Sequence, residues 1–201
     1  MSPLVALAVV VVSFFVGAIP FGVLVSRTFY GRDLRGSGSG NIGAANALRT
    51  LGKRGAAAVL LLDALKGYAP ALAAWAVGGV LAATLAAFAA MLGHCYSPFL
   101  RGKGGKGVAT LFGTLFALWW PAGIGFAVVW IAAVAATSFS SVGSMLGTAA
   151  TVPLLWYALG REGLVYGVLS LALILYKHRQ NLARLRQGTE NRISLLKARR
   201  S

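Results

Sequence analysis

Acidic side chains are the scarcest chemistry in this chain. Four Asp and Glu stand against nineteen Lys and Arg over 201 residues, a formal net charge of +15. Sites for Mg²⁺ or Ca²⁺ are built largely from carboxylates, and one of the four acids, Asp63, lies inside an apolar run. No metal site and no cofactor are expected. The single cysteine, Cys95, excludes an intrachain disulfide and a cysteine-clustered metal centre. Charge of either sign is sparse, at 11% of residues, while 58% are hydrophobic; a soluble domain carries roughly 25% and 45–50%. With a mean hydropathy of +0.75, the chain reads as an integral membrane protein. Its apolar runs are long and rich in Ala, Gly and Leu, without the short alternating segments of a β-barrel. The fold class is therefore an all-α transmembrane bundle in one domain, residues 1–201. The first apolar segment has no basic n-region and outruns a signal h-region, so no cleavable leader is expected.

The cations that are present sit between the apolar runs. Residues 27–54 carry six of them, residues 94–106 three, and the tail from Lys177 eight. Loop placement of this kind follows the positive-inside rule and speaks against nucleic acid as the partner. If all three basic segments face the cytoplasm, each pair is separated by an even number of crossings. The interval at 55–91 turns at Gly78-Gly79 and takes two. The interval at 107–176 is broken at Trp119-Trp120-Pro121, at 137–144 and at Gly160-Arg161-Glu162, and takes four. With the span at 3–25 this predicts seven short spans, N-terminus outside. Five spans plus re-entrant segments are the alternative, because each crossing needs roughly 17–25 residues.

Polar chemistry concentrates in the basic segments. In LRGKGGKGVAT, residues 100–110, four glycines alternate with Arg101, Lys103 and Lys106 ahead of an apolar run. Glycine backbones let N–H groups converge, and a helix N-terminus adds positive potential, which together make an anion nest. A flexible charged loop is the plain alternative. The first loop, GSGSGNIGAANALR at 36–49, offers Ser, Asn and Arg donors beyond what a linker needs. Asp63 and Lys66 are three apart in an apolar run and share a helix face. They read either as a structural pair or as a pair presenting Lys66 to a substrate mouth. His94 reads as a hydrogen-bonding residue ahead of the glycine loop. Ser138, Ser140, Ser141 and Ser144 form a polar knot. His178 and Asn181 are three apart, with Lys177, Arg184 and Glu190 nearby. An amphipathic tail on anionic lipid explains Leu182 and Leu185 but not this constellation. The whole pattern suits a phosphate held without a metal at a bilayer surface.

The segments GAIPFG, GSGNIGAANALRTLGK, DALKG, GHCYSPFLRGKGGKGVAT and HRQNLARLRQGTENR occur in this order along essentially the whole chain. In them the chain resembles the bacterial acyl-phosphate-dependent glycerol-3-phosphate acyltransferases, which are integral membrane enzymes. It departs from the usual pattern at Ala45 (Thr), Ser97 (Pro), Arg101-Gly102 (Gly-Phe) and Ser138, where a cation is usual. The resemblance implies acyl transfer from acyl phosphate to the 1-hydroxyl of glycerol 3-phosphate, giving lysophosphatidate and phosphate, the first acylation of phospholipid synthesis. It also implies the cytoplasmic (inner) membrane of a bacterium, with the site facing the cytoplasm and membrane lipid as surroundings.

On that resemblance the reacting groups are Ser39, Asn41, Arg49, Lys106, His178 and Asn181. The residues at 104–107, with Ser39 and Asn41, are expected to cradle the acyl phosphate. Arg49, Lys106, His178 and Asn181, with Ser141 or Ser144, are expected to hold glycerol 3-phosphate. Gly40, Gly104, Gly105, Gly107, Lys103, Lys66, His94 and Glu190 complete the expected substrate-binding set. The hydroxyl proton goes either to a substrate phosphate oxygen or to His178. Acyl-CoA-dependent relatives use a His followed five positions on by Asp; Phe99 and Ala183 stand there instead. The chief rival is a transporter for a phosphorylated anion. A CDP-alcohol phosphotransferase needs an acid-rich metal motif, and a lipid-binding scaffold leaves the Gly-Ser loops unexplained.

Overall fold

The structure is a computed structural model that describes residues 1–193; the basic residues Lys197, Arg199 and Arg200 lie outside them. Within this range it contains helices and 3₁₀ turns and no strand. Ser2 caps α1 (Pro3–Ala18), its hydroxyl accepting from the Val5 N–H, and Pro3 occupies the first turn. Ile19-Pro20 interrupts the helix, because proline has no N–H to continue it. The chain then resumes as α2 (Phe21–Tyr30), which stops at Gly31 in the left-handed region (φ 60°). The short α3 (Ala44–Thr50) follows the Gly-Ser loop. Three long helices come next: α4 (Gly52–Cys95), α5 (Val108–Thr137) and α6 (Ser140–Lys177). The last element is α7 (Arg179–Arg186). Four helical stretches, Pro3–Tyr30, Gly52–Leu100, Val108–Thr137 and Ser140–Lys177, are long and apolar enough to cross a membrane.

Each of the three long helices doubles back on itself. In a straight α4, residues 63 and 94 would be about 46 Å apart, yet His94 Nδ1 lies 3.7 Å from Asp63 Oδ1. The turn is at Gly78-Gly79, where Gly79 takes φ 64° and ψ −152°, a conformation open in practice to glycine alone. In α5 the Phe112 and Phe126 rings would be about 21 Å apart on a straight helix; their centroids are 5.8 Å apart, across a break at Trp119. In α6 the break is at Gly160 (φ 62°), and Gly167 packs on Val152. These breaks, and the α5–α6 junction at Ser138, fall where the sequence placed its turns. His94, expected in a loop, instead lies in the last turn of α4.

Small residues let the legs approach closely, as in membrane bundles generally. A Cβ on Gly17 would strike the Ala90 carbonyl, and one on Gly93 would strike that of Phe14, so α1 lies directly on the second leg of α4. The main core joins Ala83, Ala87 and Met91 to Leu111, Leu115, Phe126, Leu155, Tyr166 and Ile174. Lys66 and Ser97 satisfy carbonyls that the α1–α2 break frees. Lys66 Nζ donates to Ile19 O at 2.7 Å, and Ser97 Oγ donates to Ala18 O at 2.6 Å. Lys177 Nζ likewise caps α4 through Cys95 O at 2.8 Å, over the Tyr96 ring.

Candidate active site

The three basic segments meet at one end of this bundle. The Gly-Ser loop is shaped by Asn46, which is almost fully buried. Its amide nitrogen donates to the carbonyls of Leu34, Ser37 and Asn41, and its oxygen accepts the Ser39 N–H at 2.8 Å. Every polar atom of that side chain is spent on the loop. Asn41 uses its oxygen locally, accepting from the Gly43 N–H at 2.9 Å, which leaves its NH₂ group for a ligand. The loop delivers Ser39 and Asn41, and α3 delivers Arg49, to a cavity of about 280 Å³.

The opposite side of the cavity comes from α5, α6 and α7. Gly107 (φ 85°) caps the start of α5, so the free N–H groups of that helix's first turn open beside the cavity, where Gly107, Val108 and Ala109 line it. Lys106 Nζ donates to Asn181 Oδ1 at 2.5 Å. Asn181 Nδ2 in turn donates to Glu190 Oε1 at 2.5 Å, and Ser141 Oγ donates to the same oxygen at 3.0 Å. Arg184 Nε donates to Glu190 Oε2 at 2.7 Å. One carboxylate therefore fastens α6, α7 and the segment after α7. That segment is further held by the Ile193 N–H to Ser138 O at 2.8 Å and by Arg192 over the Phe139 ring. Arg49 reaches Asn191 O at 3.4 Å, while its buried Nε has no partner among the described residues.

Burial and mutual repulsion tune these groups. Burial pulls the Lys106 ammonium down to about 8; Glu190 opposes the shift, and Arg184, Arg49 and Lys177 reinforce it. Arg49 is lowered by burial and by Arg184. Burial, then the Lys106 charge, takes His178 down to about 4, so its imidazole is neutral at pH 7. Ile174 O accepts from His178 Nδ1 at 2.8 Å; a carbonyl cannot donate, so Nδ1 carries the hydrogen and Nε2 is an acceptor. Burial would raise Glu190, but bonds from Asn181, Arg184 and Ser141 hold it below the usual carboxylate range.

Of the residues expected from sequence, Ser39, Asn41, Arg49, Lys106, Gly107, His178, Asn181, Ser141, Ser144, His94 and Glu190 line this cavity. Ser144 Oγ donates within its own helix, to Ser140 O at 2.7 Å. Gly40, Gly104, Gly105, Lys103 and Lys66 are not among the lining residues. Gly40 (φ 70°) closes a turn onto Ser37 O. Gly104 and Gly105 lack positive φ; they are small because the loop lies flat on His94. The side chain of Lys103 is exposed. Lys66 is buried beneath the site, 2.7 Å from Asp63 Oδ1. Of the two readings of that pair, the internal ion pair is the one observed. Arg184, read from the sequence as a neighbour of His178 and Asn181 without a role of its own, continues their three-residue spacing into the cavity lining. Sequence reasoning passed over an apolar wall formed by Leu60, Phe112, Phe126, Trp130 and Ile131, which short runs of aromatics in a membrane helix do not announce.

The glycerol-3-phosphate acyltransferase family model matches residues 7–188. The chain belongs to the glycerol-3-phosphate acyltransferase family. It is 46% identical over 188 residues to the glycerol-3-phosphate acyltransferase of Rhodopseudomonas palustris (strain BisB5), covering 93% of this chain and 95% of the relative. It is 46% identical over 184 residues to that of Roseobacter denitrificans, covering 91% and 92%. Among solved structures it is similar to PlsY (YgiH), an integral membrane glycerol 3-phosphate acyltransferase. The glycerol 3-phosphate form of PlsY superposes with a TM-score of 0.89 at 37% identity, covering 95% of this chain and 96% of that one. The lysophosphatidic acid form gives 0.87 at 35% identity over the same shares. This acyltransferase is thus an integral membrane enzyme whose cavity gathers residues from all three basic segments.

Proposed function

We propose that this acyltransferase moves the acyl group of an acyl phosphate to the 1-hydroxyl of glycerol 3-phosphate, giving lysophosphatidate and inorganic phosphate. The observation that carries this reading is the convergence of Arg49, Lys106, His178 and Asn181 on one cavity whose other wall is apolar. One end is suited to phosphate, the other to a hydrocarbon chain. Glycerol 3-phosphate and lysophosphatidic acid, the molecules for which the two PlsY forms are named, are the acceptor and product of the proposed reaction.

Lys106, Arg49 and Asn181 hold the acceptor phosphate. Ser39, the Asn41 amide and the first-turn N–H groups of α5 receive the donor phosphate, and the acyl chain lies along Phe112, Phe126 and Trp130. The donor is a mixed anhydride and already activated, so no covalent enzyme intermediate is needed. Attack by the hydroxyl oxygen forms the ester C–O bond. The carbonyl C–O bond to phosphate breaks, and phosphate leaves with the electron pair. Fixed donors stabilise the developing charge without reorganising. The hydroxyl proton goes to a phosphate oxygen. A histidine held at about 4 is a weak base, whereas a phosphate monoester has a second pKa near about 6. His178 accepts a hydrogen bond at Nε2 and orients the hydroxyl.

The chain acts as one domain in the bacterial inner membrane. Seven short crossings, from α1–α2 and the paired legs of α4, α5 and α6, place the N-terminus outside and the three basic segments on the cytoplasmic side, in keeping with the positive-inside rule. The test is the purified protein in detergent, given glycerol 3-phosphate with acyl phosphate or acyl-CoA. Phosphate release matched by lysophosphatidate, with acyl phosphate alone, supports the reading. Product from acyl-CoA alone, or none from either, refutes it.

A further inference from the structure

At the cavity floor, where Asp63 and His94 both line the cavity, lies a buried ionic group that the reaction scheme does not use. Asp63 is fully buried, its Oδ1 2.7 Å from Lys66 Nζ and 3.7 Å from His94 Nδ1, which is beyond hydrogen-bond reach and has no hydrogen-bond partner among the described residues. Lys66 is tied on its far side to Ile19 O at 2.7 Å. The pair therefore cannot swing toward a ligand. An ionised pair kept this deep in a membrane bundle is costly to insert, which calls for a reason beyond packing.

The third member supplies one. The His94 carbonyl accepts the Gly105 N–H at 3.0 Å. A Cβ on Gly104 would land on that carbonyl, and a Cβ on Gly105 would land on His94 Nε2. The glycine loop thus rests, backbone to ring, on His94. The next residue is Lys106, whose ammonium meets Asn181. The position of the ring sets the height and direction of the loop, and the loop sets where Lys106 points.

We infer that Asp63 and His94 are positioning residues for the reaction: the carboxylate packs against the imidazole and restrains it by charge, and the imidazole is the seat from which Gly105 aims Lys106. This rests on the proposed role of Lys106 in holding the acceptor phosphate. Neither residue needs to touch a reacting atom.

The test exchanges bulk across the seat. Gly105→Ala forces a methyl against the ring and is expected to lower kcat/KM by about 100-fold, as small misplacements of catalytic groups do. His94→Ala vacates the seat and is expected to cost about 10-fold. Combined, the two changes fit together, and the double variant is expected to recover at least about 10-fold over Gly105→Ala. A double variant no better than Gly105→Ala overturns the inference. A second arm avoids the tight contact: Asp63→Asn with Lys66→Met removes the pair without stranding an ion. It is expected to cost about 10-fold in an otherwise native protein and less than about 2-fold on top of Lys106→Met, because the effect passes through Lys106. Equal losses in both backgrounds mean a general structural role and overturn it. Wild-type phosphate release is the control: its absence refutes the reaction, while its presence with failed rescue refutes only the seat.

Discussion

Lys106 Nζ and Asn181 Oδ1 are 2.5 Å apart, joining the glycine loop to the helix after the last apolar leg across 75 residues of sequence. The amide oxygen takes one ammonium hydrogen and leaves two for a phosphate. The carboxylate of Glu190, which receives the other end of the Asn181 amide, keeps that amide from flipping.

Lys106 should be visible in the pH profile. Its ammonium loses its proton near about 8 in the free protein, and kcat/KM reports free-enzyme groups. The acceptor-side kcat/KM should therefore fall as pH rises through about 8. In Lys106→Arg the limb should move above about pH 10, because guanidinium stays charged. A wild-type limb that persists unchanged in the arginine variant belongs to another group.

His178 is expected to matter more for binding than for proton transfer. His178→Ala should raise KM for glycerol 3-phosphate about 10-fold and leave kcat within about 10-fold, since loss of a general base costs about 10²–10⁴ in rate. A kcat loss of that larger size, with KM unchanged, makes His178 the base.

The same histidine gives a pH-dependent stability. Its folded value of about 4 lies below its ordinary 6.5, so the unfolded chain binds more protons between those values. The stability that comes from keeping it neutral is complete above 6.5 and is lost as pH falls toward about 4. Thermal unfolding in detergent should show a falling midpoint over that window, weakened in His178→Gln.

Glu190 should be structural as well as ligand-facing. Glu190→Gln replaces one carboxylate oxygen by an NH₂ group and strips the charge from the other, weakening or losing the three bonds from Asn181, Ser141 and Arg184, each such charge-assisted bond being worth about 1.5–3 kcal/mol. A lowered unfolding midpoint is expected. An unchanged midpoint would mean that the segment after α7 is not fastened by this carboxylate.

Much of the fold was legible because glycine and proline mark breaks in otherwise uniform apolar sequence. Gly78-Gly79, Gly160 and the Trp119-Trp120-Pro121 step read directly, whereas hydropathy alone would have merged the legs. The meeting of the three basic segments on one face followed from the placement of cations between apolar runs, and the family resemblance picked out Ser39, Arg49, Lys106, His178 and Asn181 within them. The glycine loop was harder, because a glycine required for positive φ and one required for close approach look the same in a sequence. Gly107 is the first kind; Gly104 and Gly105 are the second, set by His94 ten residues earlier or more. Asn46 and Asn41 were likewise alike by residue chemistry alone, and only the family resemblance singled out Asn41. One is consumed by the loop; the other keeps its NH₂ group.

The role of Lys106 in holding the acceptor phosphate is tested most directly by the affinity of the detergent-solubilised protein for glycerol 3-phosphate, titrated calorimetrically without donor, in the wild type and in Lys106→Met. Saturable 1:1 binding is expected, weakened about 10-fold or more by the substitution, with the unfolding midpoint preserved. Equal affinity in the two proteins would contradict that role and place the acceptor phosphate elsewhere.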